Sequence, residues 1–427
     1  MFCTLRPGDT AYSVARRFSV PLKNLLADNG ITAPERLPVG FTLIVREPTA
    51  TYTVRPGDTL FSIARATATP LIELWRNNLF LQGQASVFPG DTLFLNTKGE
   101  KRPGVQIGGY AYPFTPSGLL DTTMPFLSCV IPFTYGFRSD GTLLAPNAGT
   151  IRSSAAYYGT ASLLHLSTLT ENDTFSVALA EELFASAEMR ETLIDGILAE
   201  LRRRNYAGVD VDFEFLGAQN AGSYADFLSL LHRRLEPLGY PLLVALAPKT
   251  RDDQPGTLYE GHDYEAIGAI ADAVLLMTYE WGYTYGPPQP ISPLGPVTRV
   301  LEYALTRIPA RKIFLGISDY GYDFTLPYVK GLSKARSLAI DDAILLAGKQ
   351  NAEIFFDETA KAPYFEYVEN GTSHVVWFED PRSLSARLSL ISEYGLRGAL
   401  YWNFSRRDSG NLALLGELFA RTDFNLS

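Results

Sequence analysis

The sequence predicts an α/β protein: a (β/α)8 barrel with a small β insertion, preceded by two small α+β units of βααβ order. Three observations lead there. The first 97 residues contain one pattern twice; the remainder alternates short apolar strands with helical segments; and one strand, Gly208-Val209-Asp210-Val211-Asp212-Phe213-Glu214-Phe215, is apolar on one face and acidic on the other.

The repeat is read first. Leu5-Arg6-Pro7-Gly8-Asp9-Thr10-Ala11-Tyr12-Ser13-Val14-Ala15 returns as Val54-Arg55-Pro56-Gly57-Asp58-Thr59-Leu60-Phe61-Ser62-Ile63-Ala64, and Val39-Gly40-Phe41-Thr42-Leu43 is matched by Pro89-Gly90-Asp91-Thr92-Leu93. Pro presets φ, Gly permits a positive φ, and Asp can cap the helix that follows, so each unit reads strand, turn, helix, helix, turn, strand over residues 1–47 and 51–97. Units this small have no room for a deep catalytic pocket. The repeat resembles the LysM domain. That resemblance implies a groove for N-acetylglucosamine of chitin or peptidoglycan, bordered by Gly57, Asp58, Thr59, Leu60 and Asn78 in the second copy and by Gly8, Asp9, Thr10 and Asn29 in the first. The first copy lacks the second Asp of the pattern at Val39-Gly40-Phe41, so equal binding by both is not expected.

Residues 98–106 are polar with Gly and Pro and read as a linker. From there to 427 strands are predicted at 105–112, 126–137, 162–167, 208–215, 242–248, 273–279, 312–317 and 398–404, with helices between most of them, for example 176–190 with 191–204, 223–238, 264–270, 296–305 and 383–394. Eight strands with intervening helices fit a (β/α)8, or TIM, barrel. An open doubly wound sheet is the alternative, but Gly108-Gly109-Tyr110 does not continue as its Gly-rich phosphate loop. Alternating pieces at 353–379 around Asn370-Gly371 predict a β hairpin inserted beside the barrel mouth.

Composition limits the function. At 46% hydrophobic and 19% charged residues the chain is globular throughout, and a net charge of −9 argues against a nucleic-acid partner held by phosphate contacts. No stretch reaches the roughly 18 apolar residues of a membrane span, and no signal peptide is recognised at the N-terminus. Cys3 and Cys129 are too far apart to suggest a disulfide framework; Cys129 reads as buried and Cys3 as lying at an exposed edge. His165, His232, His262 and His374 show no ligand spacing, and three acids fall short of a hard-cation shell, so neither metal nor cofactor is expected. His232 and His262 read as surface residues and His165 as a core residue.

The acidic strand carries the chemistry. Alternation puts Val209, Val211, Phe213 and Phe215 on one face and Asp210, Asp212 and Glu214 on the other. Side chains two apart on a strand are only about 7 Å apart at Cα, so one acid at least should hold a proton near neutral pH. With Tyr279, Trp281 and Trp402 at the ends of neighbouring strands, this is the composition of a sugar-binding cleft. An ordinary retaining glycosidase needs two carboxyl groups about 5 Å apart across the scissile bond, whereas acids on one strand approach from one side. Either a nucleophile comes from elsewhere, or an N-acetyl sugar supplies its own acetamido oxygen.

The same stretch resembles the catalytic strand of family 18 of the glycoside hydrolases, the chitinase-like barrels; Met277-Thr278-Tyr279-Glu280 resembles its sixth strand and Gly398-Ala399-Leu400-Tyr401-Trp402 its eighth. With the two LysM-like units, the whole chain is similar to the members of that family that degrade spore-cortex fragments. The resemblance implies Glu214 as general acid and then base, Asp212 orienting the acetamido group, Asp210 sharing a proton with Asp212, and Tyr279 donating to the acetamido carbonyl. Met277 and Trp402 would form the pocket floor, with Phe133, Tyr320 and Trp281 around it. Ala207 stands where the family has its first Asp, Phe213 where Trp is commoner, and Glu280 where Asp is commoner. The implied function is a spore-associated, endo-acting N-acetylglucosaminidase, monomeric and bound to peptidoglycan, located at the spore cortex or cell wall. A chitinase or general glucosaminidase, and a non-catalytic carbohydrate-binding barrel, are the competing readings.

Overall fold

The computed structural model describes residues 1–169 and 175–426. Eight parallel strands form a barrel: β1 (Gln106–Ala111), β2 (Cys129–Pro132), β3 (Ala161–Ser162 continued by Leu164–Ser167), β4 (Val209–Asp212), β5 (Leu242–Leu246), β6 (Ala273–Leu276), β7 (Ile313–Ser318) and β8 (Gly398–Trp402). The first part of β3 pairs with β2 and the second with β4, so its interruption at Leu163 closes the sheet. Alternation along each strand fills two separate cores. Cys129, Ile131, Leu243, Ala245, Leu275, Phe314 and Leu400 plug the interior. Val209, Val211 and Phe213 face the helical layer instead.

β4 ends at Asp212, three residues before the predicted end of the strand. Phe213 still faces outward, stacked on Tyr224 and Phe227 at 5.6 and 5.7 Å. Phe215 does not: its φ of 60° lies in the left-handed region and breaks the alternation, leaving the ring exposed. The β insertion is also larger than the predicted 353–379. A five-stranded sheet runs from Tyr320–Leu326 and Arg336–Ala339 to Phe355–Asp357, Ala362–Glu369 and Thr372–Trp377, with a helix at Ile340–Lys349. The expected hairpin joins the last two strands, with positive φ at Asn370 and Gly371.

Each N-terminal unit pairs two antiparallel strands, Phe2–Thr4 with Thr42–Ile44 and Pro48–Thr53 with Thr92–Thr97, over two helices. Thr10 and Thr59, not the preceding Asp residues, cap the first helices in reciprocal capping boxes with Ser13 and Ser62. Gly8 and Gly57 make the turn possible at φ 88° and 89°. Cys3 is buried, contrary to expectation, because its strand turns it onto the first unit's core.

The units are packed against the barrel and its insertion. Gly40 lies so close to the Ile354 carbonyl that a Cβ would meet that oxygen at 1.9 Å. Arg46 is fully buried and forks onto Asp28 at 2.9 and 2.5 Å while donating to the carbonyls of Arg76 and Asn77; Arg76 in turn donates to the Phe419 carbonyl at 2.5 Å. Within the predicted linker, Arg102 bridges to Phe419 and Gln106 already belongs to β1. Arg46→Met would leave Asp28 buried and uncompensated, so a loss of about 3–5 kcal/mol is expected, read from the chemical-denaturation midpoint.

Candidate active site

The inward face of β4 delivers the acids to the C-terminal mouth of the barrel, where such barrels place their chemistry. Asp210 is the deepest. Its Oδ2 accepts the Tyr110 hydroxyl at 2.9 Å and meets His165 Nδ1 at 2.6 Å. Asp212 follows, still buried, its carboxyl pushed up to about 6 by burial, with the charge of His165 opposing and that of Asp210 adding to the rise. Glu214 is half-buried at the cavity wall and is held well above the ordinary range by burial, then by the charges of Asp212 and Glu280. Burial first, and the neighbouring acids after it, therefore favour the protonated form of the outermost acid, the form able to donate.

A cavity of about 430 Å³ opens over this ladder. It is lined by Asp212 and Glu214 and, as the sequence predicted, by Tyr279, Met277, Trp402, Phe133 and Trp281. Burial and the charges of Asp212 and Glu214 hold the Tyr279 hydroxyl well above its usual range, so it remains a donor. Tyr320 does not line the cavity. It stands one layer behind, where its hydroxyl and that of Tyr322 donate to Glu280 Oε1.

Several site residues escaped the sequence reading. Tyr110, Phe175, Phe215 and Tyr259 line the cavity, and Phe114, 76% exposed, stacks on Tyr112 at 4.9 Å to carry an aromatic surface outward from Phe133 and Trp402. Strand parity could have found His165, which sits in register beside Asp210 on the inward side of β3. His262 is no surface residue. It is fully buried, its pKa lowered to about 4 by burial, and as a neutral ring it accepts the Ala247 N–H at 2.8 Å and donates to the Phe213 carbonyl at 3.0 Å, fixing the backbone just before Glu214. Among the described residues no cluster of His, Cys, Asp and Glu suits a metal ion, and both cysteines are free.

The residues expected to border the N-terminal grooves divide. Asn29 and Asn78 are buried and tie the second helix to the last strand, Asn29 through Leu25 and Ile44, Asn78 through Leu74 and Phe94. Leu60 is core. These three are corrected to structural positions because every polar atom, or the whole side chain, is already engaged within the unit. Gly8, Asp9 and Thr10, like Gly57, Asp58 and Thr59, stay at surface turns, where Asp9 and Asp58 accept the backbone N–H groups of Arg6 and Arg55. Beside them Tyr12 and Phe61 are 60% and 61% exposed.

Comparison with known proteins places this geometry. The model of the glycosyl hydrolases family 18 matches residues 144–406, and the LysM domain matches residues 3–46 and 52–96. The chain is 37% identical over 426 residues to a cortical fragment-lytic enzyme of Bacillus anthracis, covering 98% of each chain. It is 42% identical over 300 residues to one of Bacillus subtilis (strain 168), covering 69% of this chain and 68% of that one. Among solved structures it resembles the spore cortex-lytic enzyme SleL of Bacillus megaterium QM B1551, with a TM-score of 0.84, 33% identity and 99% of each chain covered.

Proposed function

The chain belongs to family 18 of the glycosyl hydrolases and carries two LysM domains, and from that premise we propose that it is a peptidoglycan N-acetylglucosaminidase of the spore cortex. The cortex assignment takes its support from the relatives matched over nearly the whole of both chains, a cortical fragment-lytic enzyme and a spore cortex-lytic enzyme. One observation carries the chemistry: Asp210 and Asp212 rise along one strand, Glu214 follows its end, and Asp212, Glu214 and Tyr279 line one aromatic-walled cavity.

In this reading the catalytic unit spans residues 107–427, and the two LysM units, within 1–47 and 51–97, hold the glycan at their Pro-Gly-Asp turns beside Tyr12 and Phe61. The protein acts as a monomer at the cortex or cell wall. Glu214 protonates the glycosidic oxygen while the acetamido carbonyl oxygen attacks the anomeric carbon; the bond to the leaving sugar breaks and an oxazolinium ring forms. Tyr279 donates to that carbonyl oxygen and Asp212 takes the acetamido N–H. Glu214, now a carboxylate, removes a proton from the water that reopens the ring, with net retention.

A second reading has one observation in its favour: Glu280 also lines the cavity and could serve as an enzymic nucleophile. Its carboxyl is itself pushed up by burial, against two tyrosine hydrogen bonds, which favours a supporting part. Removing its charge has a definite consequence. A negative charge beside Glu214 raises that acid's pKa, so Glu280→Gln should move the basic limb of kcat/KM to lower pH, measured as a pH–rate profile. The function itself is tested by incubating the protein with cortex fragments and with chitooligosaccharides. Preferential release of muropeptides ending in N-acetylglucosamine is expected; preferential cleavage of chitooligosaccharides would replace the cortex assignment with a chitinase.

A further inference from the structure

We infer that two loops on one side of the cavity, 281–291 and 327–336, form a binding rim for the anionic peptide stems that peptidoglycan carries and chitin lacks. Such a rim presupposes the peptidoglycan reading and is the part of the chain that recognises that glycan by its charge. The first loop follows β6 and begins at Trp281, which lines the cavity beside Glu280. The second leaves the insertion strand Tyr320–Leu326, whose Tyr320 and Tyr322 hydroxyls donate to the same Glu280. The rim therefore starts at the cavity wall.

Hydrogen bonds join the two loops into one surface. The Ala335 N–H donates to the Thr284 carbonyl at 2.7 Å, and the Tyr328 hydroxyl donates to the Tyr285 carbonyl at 3.0 Å. Each loop is also braced on itself. The N–H groups of Trp281 and Gly282 donate to the carbonyls of Ile291 and Pro290, while the Val329 N–H donates to the Ser333 hydroxyl and the Ser333 N–H to the Val329 carbonyl. Loops held in this way present their side chains with less ordering left to do on binding.

The charge of this surface runs against that of the chain. The protein has a net charge of −9, yet the two loops contain Lys330, Lys334 and Arg336 and no acid. Arg336 is taken by Asp323 at 2.9 Å. Lys330 and Lys334 are exposed and meet no carboxylate among the described residues; the Lys334 ammonium lies 5.8 Å from the centre of the Tyr285 ring. The same loops expose Tyr283, Tyr285, Val329 and Leu332, the last at 82%. Unpaired cations among exposed apolar side chains suit a ligand that combines carboxylates with small apolar groups. A stem peptide of alanine, glutamate and a diamino acid has that composition, whereas chitin is uncharged and offers these lysines nothing. In peptidoglycan both neighbours of an N-acetylglucosamine are muramic acids, the sugars that bear the stems. A stem can therefore reach the rim whichever way the strand runs through the cavity.

The test uses soluble glycan strands with intact stems and the same strands stripped of them by an amidase. The parent protein should prefer the stem-bearing strands in kcat/KM. In Lys330→Ala/Lys334→Ala that preference should fall about 3- to 10-fold, the weight of two exposed ion pairs, and Lys330→Arg/Lys334→Arg should retain it. Added salt should erode the parent's preference in the same direction. A preference unchanged in the alanine variant, or lost as fully in the arginine variant, overturns the proposal; so does an equal loss on both strands, which assigns the lysines to the sugar backbone. A binding arm separates this result from the hydrolase reading. Titration of both strands into Glu214→Gln, with and without the two alanine substitutions, should show tighter binding of the stem-bearing strand, which the substitutions abolish. That result without hydrolysis by the parent would remove the proposed activity and keep the rim. Hydrolysis by the parent with equal binding of both strands would keep the activity and remove the rim.

Discussion

Glu214→Gln should fold as the parent protein does and lose about 10²- to 10⁴-fold in kcat, the usual weight of a general acid. The amide keeps the shape of the side chain at the cavity wall but has no proton to give the leaving oxygen and no carboxylate to activate water. Its stability should move the other way. The folded state holds Glu214 well above its ordinary pKa, through burial and the neighbouring Asp212 and Glu280 charges. A raised carboxyl gives the folded state an advantage that is complete below the unfolded pKa and lost as pH rises through the folded value. At neutral pH the parent protein therefore carries an unfavourable group that the variant lacks. The melting temperature of Glu214→Gln should equal or exceed the parent's at pH 7, and the gap should narrow toward pH 4.

Tyr279→Phe should lower kcat by about 10²- to 10³-fold, as loss of one preorganised donor to a developing charge does elsewhere. The hydroxyl is kept protonated by burial and by the acids facing it, so its only available part is donation. Because the acetamido oxygen must be held for attack, the effect should fall mainly on kcat, with a smaller change in KM. A change confined to KM would place Tyr279 in binding alone.

The barrel was legible because its strands carry a period-two pattern that separates an inner face from an outer one. Val209, Val211 and Phe213 face the helices, and Asp210 and Asp212 the interior, as that period requires. The pattern fails at Phe215, where a positive φ turns the chain, and sequence spacing does not encode that turn in advance. Tyr279, Trp402 and Met277 were legible as strand-end residues. His262 was not: it sits in a loop between β5 and the Tyr264–Ile270 helix, and its burial comes from the backbone of Phe213 and Ala247 folding around it. Asn29 and Asn78 misled for a different reason. The resemblance to the LysM domain carries them into the groove, but here the second helix and the last strand of each unit share the hydrogen bonds of the amide. Cys3 was hidden because its strand turns it onto the first unit's core, and the first strand of the insertion because it pairs with Thr372–Trp377, far along the chain.

The central claim is that Glu214 works with a nucleophile the glycan brings itself. The most direct measurement compares hydrolysis of N-acetylated cortex glycan with the same glycan chemically de-N-acetylated. Cleavage of the acetylated chains and none of the de-N-acetylated ones, with no cleavage of either by Glu214→Gln, is the predicted result. Comparable cleavage of both would contradict it, transferring the nucleophile to a protein carboxylate such as Glu280.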